Sequence, residues 1–317
     1  MGIASRFRTT DTFKHLSANP NLVVIEGEKL VALQRVLLES LIDILSVCDD
    51  ENVPVMMGGG TCLGAIRHKG FVPWDDDIDI NMTRSGYERF RPLFIKRFGD
   101  KYDLLDARHT QDYPVICPQV RRKGTVVRTR DDFKAEECGA CVDICIIENV
   151  PNSKALRLAQ GFISLALGLL ASCRRFYQHR DRYFDLVKND ADALKSVKSK
   201  VFVGRLLFFA TYGQLFRAWD WWNSLCHDED SEFLSVPGGR KHYFGEMYLR
   251  KKYLPTVPGE FEGISVPLPK NPEEYMEHLY GPNYMVLPPM EEREHHSVLE
   301  FNLDQHVQSD SVGGTPE

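Results

Sequence analysis

The sequence predicts an α/β (α+β) protein with three parts: a core of alternating helices and short strands to about residue 150, a mostly helical stretch, and a loop-rich closing segment. Three observations carry that expectation. Apolar residues recur at helical steps of three and four before residue 50. Short apolar or alternating runs bounded by glycine or charge follow, and Leu, Phe, Tyr and Trp dominate residues 154–235. The composition of the 317 residues, 43% hydrophobic and 26% charged, excludes disordered, collagen-like and coiled-coil chains and allows a sizeable core.

The elements follow in order. Leu30, Leu33, Leu37, Leu41, Ile44 and Leu45 define one face of a helix over 26–48. Residues 53–57 are a short apolar run that stops at Gly58-Gly59-Gly60, a buried strand feeding a glycine turn. Residues 61–68 give one or two helical turns, with Thr61 as the cap. Residues 77–82 alternate charged and apolar, the mark of a strand. Tyr87, Phe90, Phe94 and Phe98 predict a second amphipathic helix, which Pro92 should kink. Further strands are expected at 102–105, 115–121 and 141–147. The expected organisation is a flexible segment over 1–20, a core over 21–153, a helical accessory region over 154–240, a closing segment over 241–304 and a flexible tail over 305–317.

Charge narrows the partners. Lys plus Arg total 39 against 45 Asp plus Glu, a net charge of -6, which is a poor balance for a dedicated nucleic-acid binder. A small anionic ligand needs only a local basic cluster and stays open. Residues 1–20 lack the apolar core of a secretory signal, and eight irregularly spaced cysteines suit reduced thiols, so the cytoplasm is expected. No 18-residue uncharged apolar run occurs, so no spanning helix is expected. The apolar run 158–173, with 201–203 and 206–210, precedes or adjoins Arg174, Arg175, Arg180 and Arg182. It suits either an interfacial helix at the cytoplasmic face of a membrane or a buried accessory helix, and the buried reading is preferred.

The densest chemistry lies in residues 58–81, GGGTCLGAIRHKGFVPWDDDIDIN. In a strand, Asp77 and Asp79 point to one face, about 6.5 Å apart, and can hold a hard cation such as Mg²⁺ (or Mn²⁺) against phosphates. Asp143, in the apolar setting Val142-Asp143-Ile144, is the candidate third acid on a neighbouring strand. A glycine turn opening a helix presents backbone N–H groups to a phosphate, although neither the P-loop nor the dinucleotide spacing is present. Arg67, His68 and Lys69 could neutralise a pyrophosphate, and Arg121 or Arg122 could add charge near it. An EF-hand fails, because Ile80 and Gly86 stand where glycine and glutamate are required. The aspartate motif of prenyl-diphosphate enzymes is matched by Asp75-Asp76-x-x-Asp79, but Pro73 and the alternation argue against its long helix. A glycosyltransferase Asp-x-Asp pair is the serious rival.

The string GGGTCLGAIRHKGFVPWDDDIDI resembles the signature of the LicD/fukutin-type family, a branch of the nucleotidyltransferase fold. The resemblance continues through Val142-Asp143-Ile144, Glu148-Asn149-Val150-Pro151, residues 261–289 (FEGISVPLPKNPEEYMEHLYGPNYMVLPP), and Arg293 with His295-His296. It departs from the common pattern at Cys62 and at Cys145-Ile146-Ile147. The resemblance implies a nucleotidyltransferase-like mixed sheet flanked by helices. It puts Gly59, Gly60 and Thr61 on the phosphate-contacting turn, and Asp77, Asp79 and Asp143 on the metal-binding acids. It implies transfer of a phosphorylated alcohol, phosphocholine above all, from a CDP-linked donor to a glycan or lipid-linked glycan acceptor. CDP-ribitol or CDP-glycerol as donor, a metal-dependent glycosyltransferase, and a nucleotide-binding relative without catalysis are the alternatives. Arg293 and His295 are expected to contact substrate.

Two weaker signals remain. Trp219, Trp221 and Trp222, with Trp74, Tyr280 and Tyr284, could form a cage for a quaternary ammonium, though such density more often means core. Cys138, Cys141 and Cys145, with Cys226 and His227 as distant partners, make a weak zinc pattern, and packing in a strand is the preferred reading.

Overall fold

The structure, a computed structural model, describes residues 22–133, 138–290, 293 and 298–303. The expected flexible ends, and His295 with His296, lie outside the described residues. The leucine stripe forms α1 (Glu28–Asp50), and Leu33, Leu37, Leu41 and Ile44 are all buried by it. Each such side chain contributes about 2 kcal/mol of transfer free energy. β1 (Val55–Met57) runs into α2 (Gly59–His68), and β2 (Ile78–Thr83) into α3 (Arg84–Phe98). Thr83 caps α3, its hydroxyl accepting from the Gly86 N–H at 3.2 Å, and Pro92 sits within that helix without ending it.

β3 (Tyr102–Leu105), β4 (Gln119–Arg122), β5 (Val126–Thr129) and β6 (Cys141–Val150) complete the first half. The main sheet has the order β1-β2-β6-β4-β3, in which only β2 and β6 are parallel. β4 starts later than the expected 115, because Pro118 has no N–H to give the ladder and pairing begins at Gln119. β6 runs further than expected, since Glu148, Asn149 and Val150 pair with β7 (Phe233–Ser235).

Between β6 and β7 lies the expected helical stretch: α4 (Lys154–Gln178), α5 (Arg180–Leu186), α6 (Ala191–Leu206) and α7 (Tyr212–Asn223). Asp190 caps α6 through the N–H groups of Asp192 and Ala193. Thr211 and Gln214 form a reciprocal capping box on α7. α4 packs against α6 and α7, yet before Ala171 most of its apolar residues do not go inward. Leu156 and Phe162 are 62% and 63% exposed, and only 28% of the most apolar stretch of α4 is buried. The buried reading of this run is therefore corrected: hydropathy alone cannot say which side of a helix meets the protein. By length and composition α4 is also long and apolar enough to cross a membrane, against the expectation of no such helix.

The closing part is loop-rich but carries α8 (His242–Gly245), β8 (Met247–Leu249), α9 (Arg250–Tyr253), the hairpin of β9 (Val257–Phe261) and β10 (Ile264–Leu268), and α10 (Pro272–Tyr280). Glu262 and Gly263, at φ 48° and 77°, make the tight turn that matches the strand twist. β11 (Val298–Asn302) returns to pair with β5.

Candidate active site

The site forms where α2 opens against β2. Gly58 carries the first helical carbonyl, and its N–H is bonded to the Asp79 carbonyl at 2.9 Å. Gly59 sits at φ 40°, and a Cβ there would come 2.5 Å from Asp79 Oδ2. A Cβ on Gly60 would come 3.0 Å from Asp75 Oδ2. These glycines are needed because a helix N-terminus and two carboxylates share one small space. Thr61 is not the cap that was expected. It lies one turn into the helix, and its hydroxyl accepts from the Asp79 N–H at 2.7 Å, tying α2 to the strand. The Tyr275 hydroxyl accepts from the Gly59 N–H at 3.1 Å and from the Asn81 amide at 3.4 Å, so α10 closes the turn from the far side.

Asp143 stands on β6 in register with Asp79, on the same face of adjacent parallel strands. Gln119 is its register partner on β4 and donates to Asp143 Oδ1 at 2.7 Å. Gln119 in turn accepts from Arg121, whose guanidinium is paired with Asp132 at 2.7 Å. Arg121, expected to add charge near the donor, instead has its guanidinium taken up by Asp132 and Gln119. It is buried in a row that runs Asp132, Arg121, Gln119, Asp143 and sets how the last carboxylate is turned.

Around the acids stand several cations and rings. Arg67 donates to the Tyr284 carbonyl at 2.9 Å. Partial burial lowers its pKa, while the nearby Tyr280 and Asp75 work the other way. Lys69 ends α2 in the left-handed conformation at φ 58°, with an exposed side chain, about 15 Å of helix away from the glycine turn. Arg293 stacks on Trp74 at 4.2 Å, and Arg240 lies 5.8 Å from the centre of the Tyr280 ring. Burial, with Asp79, Asp75 and Asp77 nearby, pushes the Tyr280 hydroxyl up. The six aromatics do not make one cage. Trp219 is buried beside Gly168 and Gly238, Trp222 donates to the Gln160 carbonyl at 3.0 Å, and Trp221 is exposed, all within the helical layer.

The geometry has counterparts in known proteins. The family model described as LicD/FKTN/FKRP, nucleotidyltransferase domain, matches residues 52–131, the span that holds the glycine turn, Asp77 and Asp79. The lipopolysaccharide cholinephosphotransferase LicD of Haemophilus influenzae is 25% identical over 271 residues, covering 84% of this chain and 95% of that protein. The chain is thus similar to LicD-type proteins, over the glycine turn and acids and over most of its length. Uncharacterized proteins of Rickettsia typhi and Rickettsia prowazekii are each 34% identical, over 68 and 58 residues and about a fifth of each chain.

In this site the donors are hard oxygens, the set that suits Mg²⁺ or Mn²⁺. Among the described residues, the three acids whose carboxylate oxygens lie within 4.8 Å of one another are Asp75, Asp76 and Asp77. The expected set was Asp77, Asp79 and Asp143. The tighter gathering falls one step earlier because Asp77 precedes β2, so Asp75, Asp76 and Asp77 lie in irregular chain after the turn at 73–74, where consecutive acids can converge. Glycines at 59 and 60 leave room beside Asp79 and Asp75 that any side chain would fill, so the residues present fit a cation. The cysteines take other partners: Cys145 Sγ is 3.0 Å from Cys117 Sγ, and Cys141 Sγ is 3.8 Å from Asp143 Oδ1, with its thiol pushed up by burial.

Sequence reasoning missed Gln119, Arg240, Tyr275 and Glu246. Asn81 alone had a local signal, as it continues the same-face alternation of Asp77 and Asp79. Glu246 braces the turn that carries Arg240: its carboxylate accepts from the Lys241 N–H at 2.9 Å and occupies the space a Cβ on Gly239 would take. Burial pushes its carboxyl up to about 7, against that hydrogen bond. The folded protein thus holds a proton the unfolded chain releases nearer pH 4.5, so stability is lost as pH rises through the window from 4.5 to 7. The loss is at most about 3 kcal/mol. The Tm should fall between pH 5 and pH 8, and Glu246→Gln should flatten that fall; parallel curves for the two proteins would contradict it.

Proposed function

We propose that the protein is a metal-dependent transferase that moves phosphocholine from CDP-choline to a hydroxyl of a cell-surface glycan precursor, acting in the cytoplasm. The observation that carries the reading is the glycine-opened helix packed directly on Asp79, with Asp143 beside it in register. The Haemophilus relative, a cholinephosphotransferase by name that matches over most of both chains, supports the cargo. Aromatic faces beside the acids already attract cations, Arg293 on Trp74 and Arg240 near Tyr280, and a quaternary ammonium suits the same chemistry.

In this mechanism Asp75, Asp77 and Asp79 would hold Mg²⁺ or Mn²⁺, with Asp143 at its edge. When bound, the ion supplies positive charge to the donor pyrophosphate. The amides opening α2 and Arg67 bind the same oxygens and hold the donor in line. The acceptor oxygen attacks the phosphorus bearing choline, the bond to the CMP phosphate breaks, and CMP leaves with the bonding electrons. The acceptor proton passes to Asp143, whose orientation Gln119 sets. Catalysis of this kind rests on positioning and charge rather than on covalent intermediates.

Nucleotide release decides the reading. Purified protein with Mg²⁺ should release CMP from CDP-choline in the presence of a glycan acceptor extract. CMP from CDP-ribitol or CDP-glycerol alone would keep the reaction and change the cargo. UDP from a nucleotide sugar would replace the reading with a glycosyltransferase.

A further inference from the structure

α4 is built inside out. Its polar residues Gln160, Ser164 and Arg175 are buried against the protein, with Gln160 bonded to the Tyr243 hydroxyl and the Asn223 carbonyl. Between residues 155 and 170, every exposed position is Ala, Leu, Ile or Phe. At 100° per residue those positions cover half the cylinder along about 24 Å of helix. The turn after α6 extends the surface, with Phe208 81% and Phe209 70% exposed. Arg174 fixes that turn to the end of α4 by donating to the carbonyls of Gly204 and Ala210. On the other flank, Trp221 is 58% exposed on α7. Soluble monomers seldom leave so long a contiguous apolar face in water.

Charge says what covers it. Residues 149–180 and 193–219 hold no acid and ten Lys and Arg, of which all but the buried Arg175 and Lys200 are at least partly exposed, in a chain whose net charge is -6. We propose that this face is a membrane-docking surface, laying α4 and the Phe208-Phe209 turn into the headgroup region of an anionic bilayer. The basic residues around it meet anionic lipid, and an exposed Trp is at home at that depth. A symmetric pair of chains would instead set two basic surfaces against each other. The buried Gln160, Ser164 and Arg175 make α4 lie along the interface rather than cross it, because its inner face is bonded to the protein. The surface also reaches the site: Phe244 packs on Phe162 at 5.2 Å, and Arg240, four residues earlier, lies near Tyr280.

Co-sedimentation of the full chain with lipid vesicles tests this without any turnover, so it stands apart from the proposed reaction. The protein should pellet with vesicles of phosphatidylcholine mixed with phosphatidylglycerol, less with phosphatidylcholine alone, and less as salt rises. Two double variants, Phe162→Ser with Leu169→Ser, and Phe208→Ser with Phe209→Ser, should each lower the partition about tenfold or more. Because they change separate exposed segments, a folding failure in one leaves the other informative. A wild-type protein that stays in solution with anionic vesicles, or variants that pellet like wild type, would overturn the proposal. So would a dimer in light scattering that these substitutions dissociate, which would give the face to a second copy of the chain.

Discussion

Asp79→Asn is expected to cut CMP release by about 10³-fold or more, the scale of removing one well-placed electrostatic contact to a phosphoryl group and its cation. The expectation rests on where the carboxylate sits. Asp79 Oδ2 fills the space above Gly59, at the N-terminus of α2, and the residue is in register with Asp143. The backbone contacts of Asp79 do not use the carboxylate: its N–H donates to Thr61 and its carbonyl accepts from Gly58. The amide variant keeps the shape, so the fold should survive. Thermal stability should stay level or rise slightly, since one negative charge leaves a crowd that includes Asp75, Asp77 and Asp143. Asp103→Asn, at a partly exposed acid paired with Lys123, is the matched control and should leave turnover unchanged. Substantial CMP release by a well-folded Asp79→Asn protein would remove the acid from the mechanism and with it the metal site proposed here.

That site was legible in the sequence to the extent that its signals are local. The turn at Gly58 to Gly60 and the pair Asp77 and Asp79 lie within one strand-turn-helix passage, where periodicity and glycine chemistry speak directly. Asp143 was found from an apolar frame, and β6 indeed sets it beside Asp79. What escaped depends on partners distant in the chain. Arg121 looked like a donor-binding cation until Asp132 and Gln119 were found to hold it, and Gln119 gave no sign that it would turn Asp143. Lys69 follows Arg67 by two residues, but the left-handed end of α2 separates them. β6 outran the expected 147 because Glu148, Asn149 and Val150 pair with β7, whose strand is some eighty residues away in the chain. The helical layer was foreseen as helical, and its orientation was not: α4 has the hydropathy of a core helix and faces outward.

Glu148 is also the key to the largest expected loss of stability. Arg84 opens α3 and is nearly buried between Glu148 of β6 and Asp220 of α7, the latter at 2.8 Å. Arg108 reaches the same Asp220 from the far side. Burial pulls the Arg84 guanidinium down, but the two carboxylates more than offset this and hold it above its ordinary value. One cation thus joins the main sheet to the helical layer. Arg84→Met keeps most of the side-chain volume and leaves two buried carboxylates facing each other, which should cost about 3–5 kcal/mol in denaturant unfolding. The charge explanation makes a further demand. Adding Glu148→Gln to Arg84→Met should recover a large part of that loss, because the uncompensated negative charge is then gone. If the double variant is no more stable than Arg84→Met alone, lost packing rather than stranded charge is the cause, and the clamp between the two layers is apolar in origin. Full recovery would mean that the stranded Glu148 charge accounts for the whole loss, so that Arg84 serves to compensate the carboxylates rather than to pack the two layers.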